Sequence, residues 1–279
     1  MFRKSIAVFL SFVMVLSFSM PAFAQGPIDP PGRQMAEMVS NKSLVALGDS
    51  ITAGYGLERN LNRVSREAYP QLLGDEFGYR VTNLAVAGMT SGELLEMVKN
   101  NSRYRNVIEK ADVIVVNTGG ADLLHQLIMI TETGTLNPVA LQAAIAEVLS
   151  NIGNTLTVIR TELNTTAPIL LYGLYNPLYE GHPAFEGTEL TYTSLNLLIS
   201  IATQGTYQNI DDLMETAINA NIVAFTDIPL SGGIYVDAFA AYNDQNKATL
   251  LVDYVHPSRK GHMALFFAAL KAMGLPVAA

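Results

Sequence analysis

The chain has 279 residues, with 17 lysines and arginines against 25 aspartates and glutamates, four histidines, no cysteine and a formal net charge of −8. This acidic body disfavours nucleic acid and anionic membrane as partners. The absence of cysteine excludes a thiol nucleophile, a thiolate zinc site, an iron–sulfur cluster and disulfide staples, so stability must rest on a core that a chain of this length can bury.

Residues 1–24 read as a targeting segment. "MFRK" is positive, "SIAVFLSFVMVLSFSM" is apolar, and Ala22-Phe23-Ala24 offers small residues for cleavage after Ala24. The apolar stretch falls short of the roughly 20 residues that a membrane span needs. The expectation is a secreted, extracellular protein with no integral membrane segment once the leader is removed. Residues 25–40 open on the proline- and glycine-rich "QGPIDPPG" and read as a tether. Residues 41–279 then form one domain without internal repeats.

Within that domain short apolar runs alternate with longer amphipathic ones. The predicted strands are "SLVALGD" (43–49), "RVTNLAVAG" (80–88), "DVIVVNTGG" (112–120), "PILLYGLYN" (168–176) and "NIVAFTDI" (221–228). Helical patterns lie between them at 68–78, 91–101, 137–164, 188–204 and 209–220, and the chain closes on another at 258–274. This alternation predicts an α/β fold, a three-layer α/β/α sandwich with a five-stranded parallel sheet of flavodoxin-like type. Ligands of such sheets sit at the carboxyl ends of the strands.

Chemistry-bearing residues gather at those ends. The first strand runs into "GDSITAGYG", where Ser50 stands at a strand-to-helix junction, either as an ordinary helix cap or as a nucleophile beside backbone N–H groups. Asp49 reads as a buttress of the loop. "GDSITAGYG" lacks the lysine of a phosphate-binding loop. The second strand ends at Gly88, a turn whose bare N–H suits an oxyanion if it faces Ser50, and Thr90 or Ser91 caps the next helix. A serine nucleophile needs a histidine oriented by a carboxylate, and the D-x-x-H spacing occurs twice. Asp122 and His125 in "DLLH" fit the first turn of an apolar helix. Asp253 and His256 in "DYVHPS" precede Pro257 and the capping Ser258, which leaves His256 on a loop, free to enter a strand-end cleft. The second pair is preferred. His262 reads as packed on the last helix, and His182 as a surface-loop residue, with the lining of a substrate entrance as its alternative. No two histidines have H-x-x-x-H spacing, so no metal site is expected, and a serine-nucleophile mechanism needs no cofactor.

In their order, "GDSIT", "AVAG", "TGGAD" and "DYVHPS" resemble the blocks of the GDSL-type SGNH hydrolases, secreted bacterial serine esterases and lipases on a three-layer fold. The resemblance covers essentially the whole domain. It implies Ser50 as nucleophile, His256 as general base and Asp253 as the residue orienting it. It also implies an oxyanion hole from the backbone N–H groups of Ser50 and Gly88. The family adds a side-chain amide from a G-x-N-D block, which this chain writes Gly119-Gly120-Ala121-Asp122, with alanine at the amide's position. A slowed ester hydrolase follows, unless Asn117, Asn83, Thr118 or a water replaces the missing donor. The alternative is a decayed esterase scaffold acting as a surface or carbohydrate-binding protein. Expected substrates are small-molecule, lipid or carbohydrate esters. Leu127 to Ile130, with Tyr175, Tyr179, Tyr192 and Phe185, either wall an acyl pocket or serve as packing.

Overall fold

Strand β1 (Ser43–Gly48) has β2 (Arg80–Asn83) on one side and β3 (Val113–Asn117) on the other. β4 (Ile169–Tyr172) and β5 (Gly233–Val236) extend the sheet beyond β3, giving the parallel order β2-β1-β3-β4-β5. These positions come from a computed structural model that describes residues 42–277, apart from residues 62, 229–231 and 244. The expected leader and tether lie outside the described residues. The strand order reverses at β1/β3, the switch point where doubly wound sheets bind ligands.

The three layers follow from the period of two along each strand. Val45, Leu47, Ile114, Val116, Ile169 and Leu171 point into one core cluster, while Leu44, Ala46, Val115, Leu170 and Tyr172 point into the other. Junction helix α1 (Ser50–Ala53) follows β1, and α2 (Tyr69–Phe77) covers the second face with Tyr69 and Leu73. The first face is covered by α3 (Ser91–Asn100), α4 (Ser102–Ile108) and, beyond α5 (Gly120–Thr133), the long α6 (Pro138–Thr157). Helix α6 lays Ile145, Val148 and Ile152 on the sheet at the three- and four-residue spacing of an apolar stripe. Helices α7 (Tyr192–Ala202) and α8 (Ile210–Asp212) follow β4. A smaller apolar cluster joins Ile130 of α5 to Leu178, Phe185, Leu190, Leu195 and Ile199, between α5 and the segment after β4.

One predicted strand is overturned. "NIVAFTDI" is helix α9 (Ala220–Thr226), reached from α8 through a π-helical stretch, Leu213–Asn219. Ile218, Ile222 and Phe225 recur at helical spacing and face the first core cluster, so burial outweighs the β-propensity of Ile222 and Val223. The fifth strand is the shorter "GIYV" of β5, which sequence patterning passes over. Two short helices, α10 (Ala238–Ala241) and α11 (Lys247–Leu250), and the longer α12 (Arg259–Ala272) close the chain, the last adding Leu265, Phe266 and Ala269 to the second face. Among the described residues no helix is long and apolar enough to cross a membrane.

Candidate active site

The end of β1 sets the site. Gly48 has φ of 155°, and a Cβ there would stand 2.1 Å from the Asn117 carbonyl oxygen, so only glycine lets β1 leave the sheet this close to β3. Asp49 is fully buried and caps α1, its Oδ1 accepting from the Ile51 N–H at 2.9 Å. Because Asp49 supplies the cap, the Ser50 hydroxyl is released from that duty. Burial raises the Asp49 carboxyl to about 6, although the N–H groups of Ile51 and Ala121 and the positive side of His256 pull it down. Its expected buttress role is met.

At the end of β2, Asn83 donates from Nδ2 to the Thr52 carbonyl at 2.7 Å and accepts from the Ala85 N–H at 3.0 Å, so its amide ties β2 to α1. A turn from Val86 to Met89 follows, with Gly88 at φ 80° and its Cβ direction open. Thr90 caps α3 in a reciprocal pair with Glu93. Asp122 belongs to this junction. Its carboxylate accepts from the Ser91 N–H at 2.9 Å and from the Ser91 hydroxyl at 2.8 Å, and Asn151 donates to that hydroxyl at 3.0 Å. The "DLLH" carboxylate therefore fastens α5 to α3. His125 is an exposed residue at the cavity wall.

The second D-x-x-H is a closed loop. Asp253 Oδ2 stands 2.7 Å from His256 Nδ1, while Oδ1 accepts from the N–H groups of Val255 (2.9 Å) and His256 (2.8 Å). Partial burial pushes the Asp253 carboxyl up, but these hydrogen bonds outweigh it and hold the group at about 2. The carboxylate thus stays ionised and fixes the imidazole with its proton on Nδ1, leaving Nε2 as the basic nitrogen. The ring of Tyr55 packs on His256 with centroids 4.5 Å apart.

These pieces meet in one cavity of about 580 Å³ at the carboxyl edge of the sheet. Ser50, Gly88, Ala121 and His256 line it, together with Leu123, Leu124, Leu127, Ile128, Leu174, Pro177, Leu178, Ile210 and Met214. Among the described residues no hydrogen bond occupies the backbone N–H of Ser50 or of Gly88. Of the groups considered as substitutes for a missing amide, Asn83 is committed as above. Asn117 lines the cavity, but its amide interacts with the Tyr69 hydroxyl. Thr118 is buried and is not among the cavity-lining residues.

Two further expectations are resolved. Leu127, Ile128 and Tyr175 do wall the cavity, whereas Phe185 belongs to the small cluster behind it and Tyr192 donates to Asp211 at 2.9 Å. That aspartate also accepts from Asn176 at 2.8 Å and pairs with Lys247 at 3.4 Å, a lysine only 2% exposed. His182 is not a surface residue. It is 1% exposed, caps the Pro183–Phe185 turn through Nδ1, and its Nε2 lies 2.8 Å from the Tyr254 carbonyl. Contacts to residues some 70 positions away leave no trace in local sequence. His262 is buried on α12 as expected. Burial and the nearby His256 charge lower it to about 3, and Nδ1 accepts from the Tyr69 N–H at 3.3 Å.

The switch point of this doubly wound sheet gathers a serine, a histidine–aspartate pair and open backbone N–H groups over an apolar cavity, where such sheets bind their ligands. The chain belongs to the GDSL-like lipase/acylhydrolase family, whose profile matches residues 46–264, and it is a carboxylic ester hydrolase. It is 26% identical over 226 residues to the spore germination lipase LipC of Bacillus licheniformis, covering 79% of this chain and 91% of that one. Its fold is similar to that of a goat-rumen metagenome lipase, Lip_vut3, with 23% identity, TM-score 0.60 and coverage of 83% and 97% of the two chains. It is also similar to a catalytic mutant of Axe2, an acetylxylan esterase from Geobacillus stearothermophilus, with 22% identity, TM-score 0.51 and coverage of 87% and 100%. Family membership favours an ester hydrolase over the binding-scaffold alternative.

Proposed function

We propose that this chain is an exported serine esterase that hydrolyses esters of apolar acyl chains through an acyl-enzyme. The observation that carries the proposal is the 2.7 Å Asp253–His256 contact at the rim of the cavity that Ser50 and Gly88 also line. Ser50 Oγ attacks the ester carbonyl carbon while His256 Nε2 takes its proton. The ester oxygen leaves with that proton as the alcohol, and a water activated by the same nitrogen releases the acid. Asp253 holds the ring and offsets the charge that His256 gains. The N–H groups of Ser50 and Gly88 supply two donors to the oxyanion. Ala121 stands where the family resemblance expects an amide, so the third donor is missing and turnover is slow.

The acyl preference rests on the wall, which is aliphatic on α5, after β4 and at Met214 of the π-helical stretch. Each methylene removed from water contributes about 0.8 kcal/mol. Esters of longer acids are then turned over with higher kcat/KM than acetates until the cavity is full. LipC is named a lipase and Axe2 an acetylxylan esterase, and the aliphatic wall favours the lipase-like choice here. Export rests on the layout of residues 1–24.

The test is covalent. The chain treated with a nitrophenyl alkylphosphonate, digested and weighed by mass spectrometry carries the adduct on the Ser50 peptide, and labelling is faster for octyl than for methyl phosphonate. An adduct elsewhere, or none, sinks the proposal.

A further inference from the structure

Two carbonyls of the segment carrying Asp253 and His256 are satisfied from outside it. Its base is closed by the Leu251–Pro257 bridge, by the Ser258 N–H on the Leu250 carbonyl (2.7 Å) and by the Val252 N–H on the His256 carbonyl (2.8 Å). Inside the loop the N–H groups of Val255 and His256 end on Asp253. The carbonyls of Tyr254 and Val255 are taken by side chains from another part of the chain. Tyr175 donates its hydroxyl to the Val255 oxygen at 2.5 Å, and His182 Nε2 donates to the Tyr254 oxygen at 2.8 Å.

Both donors are themselves held. The Ala184 N–H points at His182 Nδ1 (3.2 Å), so the proton of a neutral ring must sit on Nε2, the nitrogen that faces Tyr254. Burial lowers the pKa of His182 and keeps it neutral. The Tyr175 ring is stacked on Tyr242 with centroids 4.1 Å apart and an interplanar angle of 13°. Tyr175 and His182 lie on the segment after β4, which contributes Leu174, Pro177 and Leu178 to the cavity wall. A wall of the acyl cavity and the mount of His256 are thus parts of one hydrogen-bonded unit.

From this geometry we infer that Tyr175 and His182 are positioning residues, which set His256 against Ser50 by latching consecutive carbonyls of its loop. The inference rests on the serine-esterase reading above. Neither hydroxyl nor imidazole touches the reacting atoms. They act through the loop, and a displacement of about 1 Å at a reacting group costs on the order of 10²-fold in rate. Either latch restrains the loop partly, so single losses are milder than the double loss.

The experiment measures kcat and KM on p-nitrophenyl acetate, whose acyl group is too short to use the wall, for wild type, Tyr175→Phe, His182→Ala, His182→Gln and the double variant Tyr175→Phe/His182→Ala. Tyr172→Phe is the control. It removes a buried hydroxyl from another backbone carbonyl, that of Leu265, away from this loop. Hydrogen exchange of the Val255 and His256 amides is followed in parallel. The expected result is a kcat lower by about ten-fold in each single loss and about hundred-fold in the double variant, with KM within about two-fold. His182→Gln, which keeps a donor at similar reach, regains most of the rate. The two amides exchange at least ten-fold faster in Tyr175→Phe, and Tyr172→Phe matches wild type throughout. Unchanged kcat with unchanged exchange overturns the inference. So does a rise in KM at constant kcat, which makes these residues wall contacts only, or an equal loss in Tyr172→Phe, which makes the effect general destabilisation. A wild type inert towards every ester overturns the esterase reading itself. An active wild type with indifferent latches overturns only the inference.

Discussion

Replacing Ala121 by asparagine should make the enzyme faster. Ala121 is the second residue of α5 and half-buried in the cavity wall, and its backbone N–H helps hold Asp49. A carboxamide there extends into a cavity of about 580 Å³, so no repacking is required. Asparagine in place of alanine costs the helix at most about 0.7 kcal/mol. A third oxyanion donor is worth about 2.7–4 kcal/mol in comparable acyl-transfer sites, or about 10²–10³ in kcat. The new side chain lacks partners that would hold it in place, so a gain at the low end, tens-fold to about 10²-fold, is the outcome to expect. The amide meets the oxyanion only in the transition state. Hence kcat and kcat/KM rise together while KM stays put. Initial rates on p-nitrophenyl butyrate for wild type, Ala121→Asn and Ala121→Leu decide it, since leucine adds similar volume without a donor. An asparagine variant no faster than the leucine variant would mean that the oxyanion does not form beside residue 121.

Three other outcomes follow from the same structure. The Asp49 carboxyl sits at about 6 folded against 3.8 in the unfolded chain, so the folded state holds the proton more tightly. Its contribution to stability is therefore present below pH 4 and lost as pH rises to about 6, by on the order of 3 kcal/mol. Urea melts of wild type and Asp49→Asn at pH 4 and pH 7 should show the gap between them shift by up to that amount in the variant's favour, and parallel pH profiles would contradict it. Asp211→Asn removes one carboxylate that pairs with the buried Lys247 ammonium, a loss of roughly 3 kcal/mol read as a fall in Tm on the order of 10 °C; a fall below about 2 °C would show the pair to be unimportant. Leu127→Trp narrows the cavity wall and should cut kcat/KM on octanoate esters at least ten-fold while leaving acetate within about three-fold, and equal losses on both would remove Leu127 from the acyl site.

What the sequence revealed and what it hid divide along a physical line. Ser50, Gly88 and His256 were legible because each sits where a strand or cap ends, and glycine, serine and proline mark such ends through local backbone chemistry. Asp253 was legible because D-x-x-H closes a carboxylate onto an imidazole within one turn of chain. Asp122 was legible as a first-turn acid on α5 through local helix chemistry, although its partner Ser91 lies 31 positions away. Strand β5 was missed because four residues opening on glycine carry little β signal, while the apolar "NIVAFTDI" beside it carries a false one. The bracing roles of Tyr175 and His182 were invisible for a different reason. Their partners are backbone carbonyls 80 and 72 positions away, and a carbonyl has no letter in the sequence.

The most direct measurement compares the wild-type chain with Ser50→Ala and His256→Ala on p-nitrophenyl butyrate, with circular dichroism confirming the fold of each. The account predicts a slow but saturable wild-type hydrolysis and a fall of at least about 10³-fold in either variant. Hydrolysis that persists at the wild-type rate in folded Ser50→Ala would contradict it.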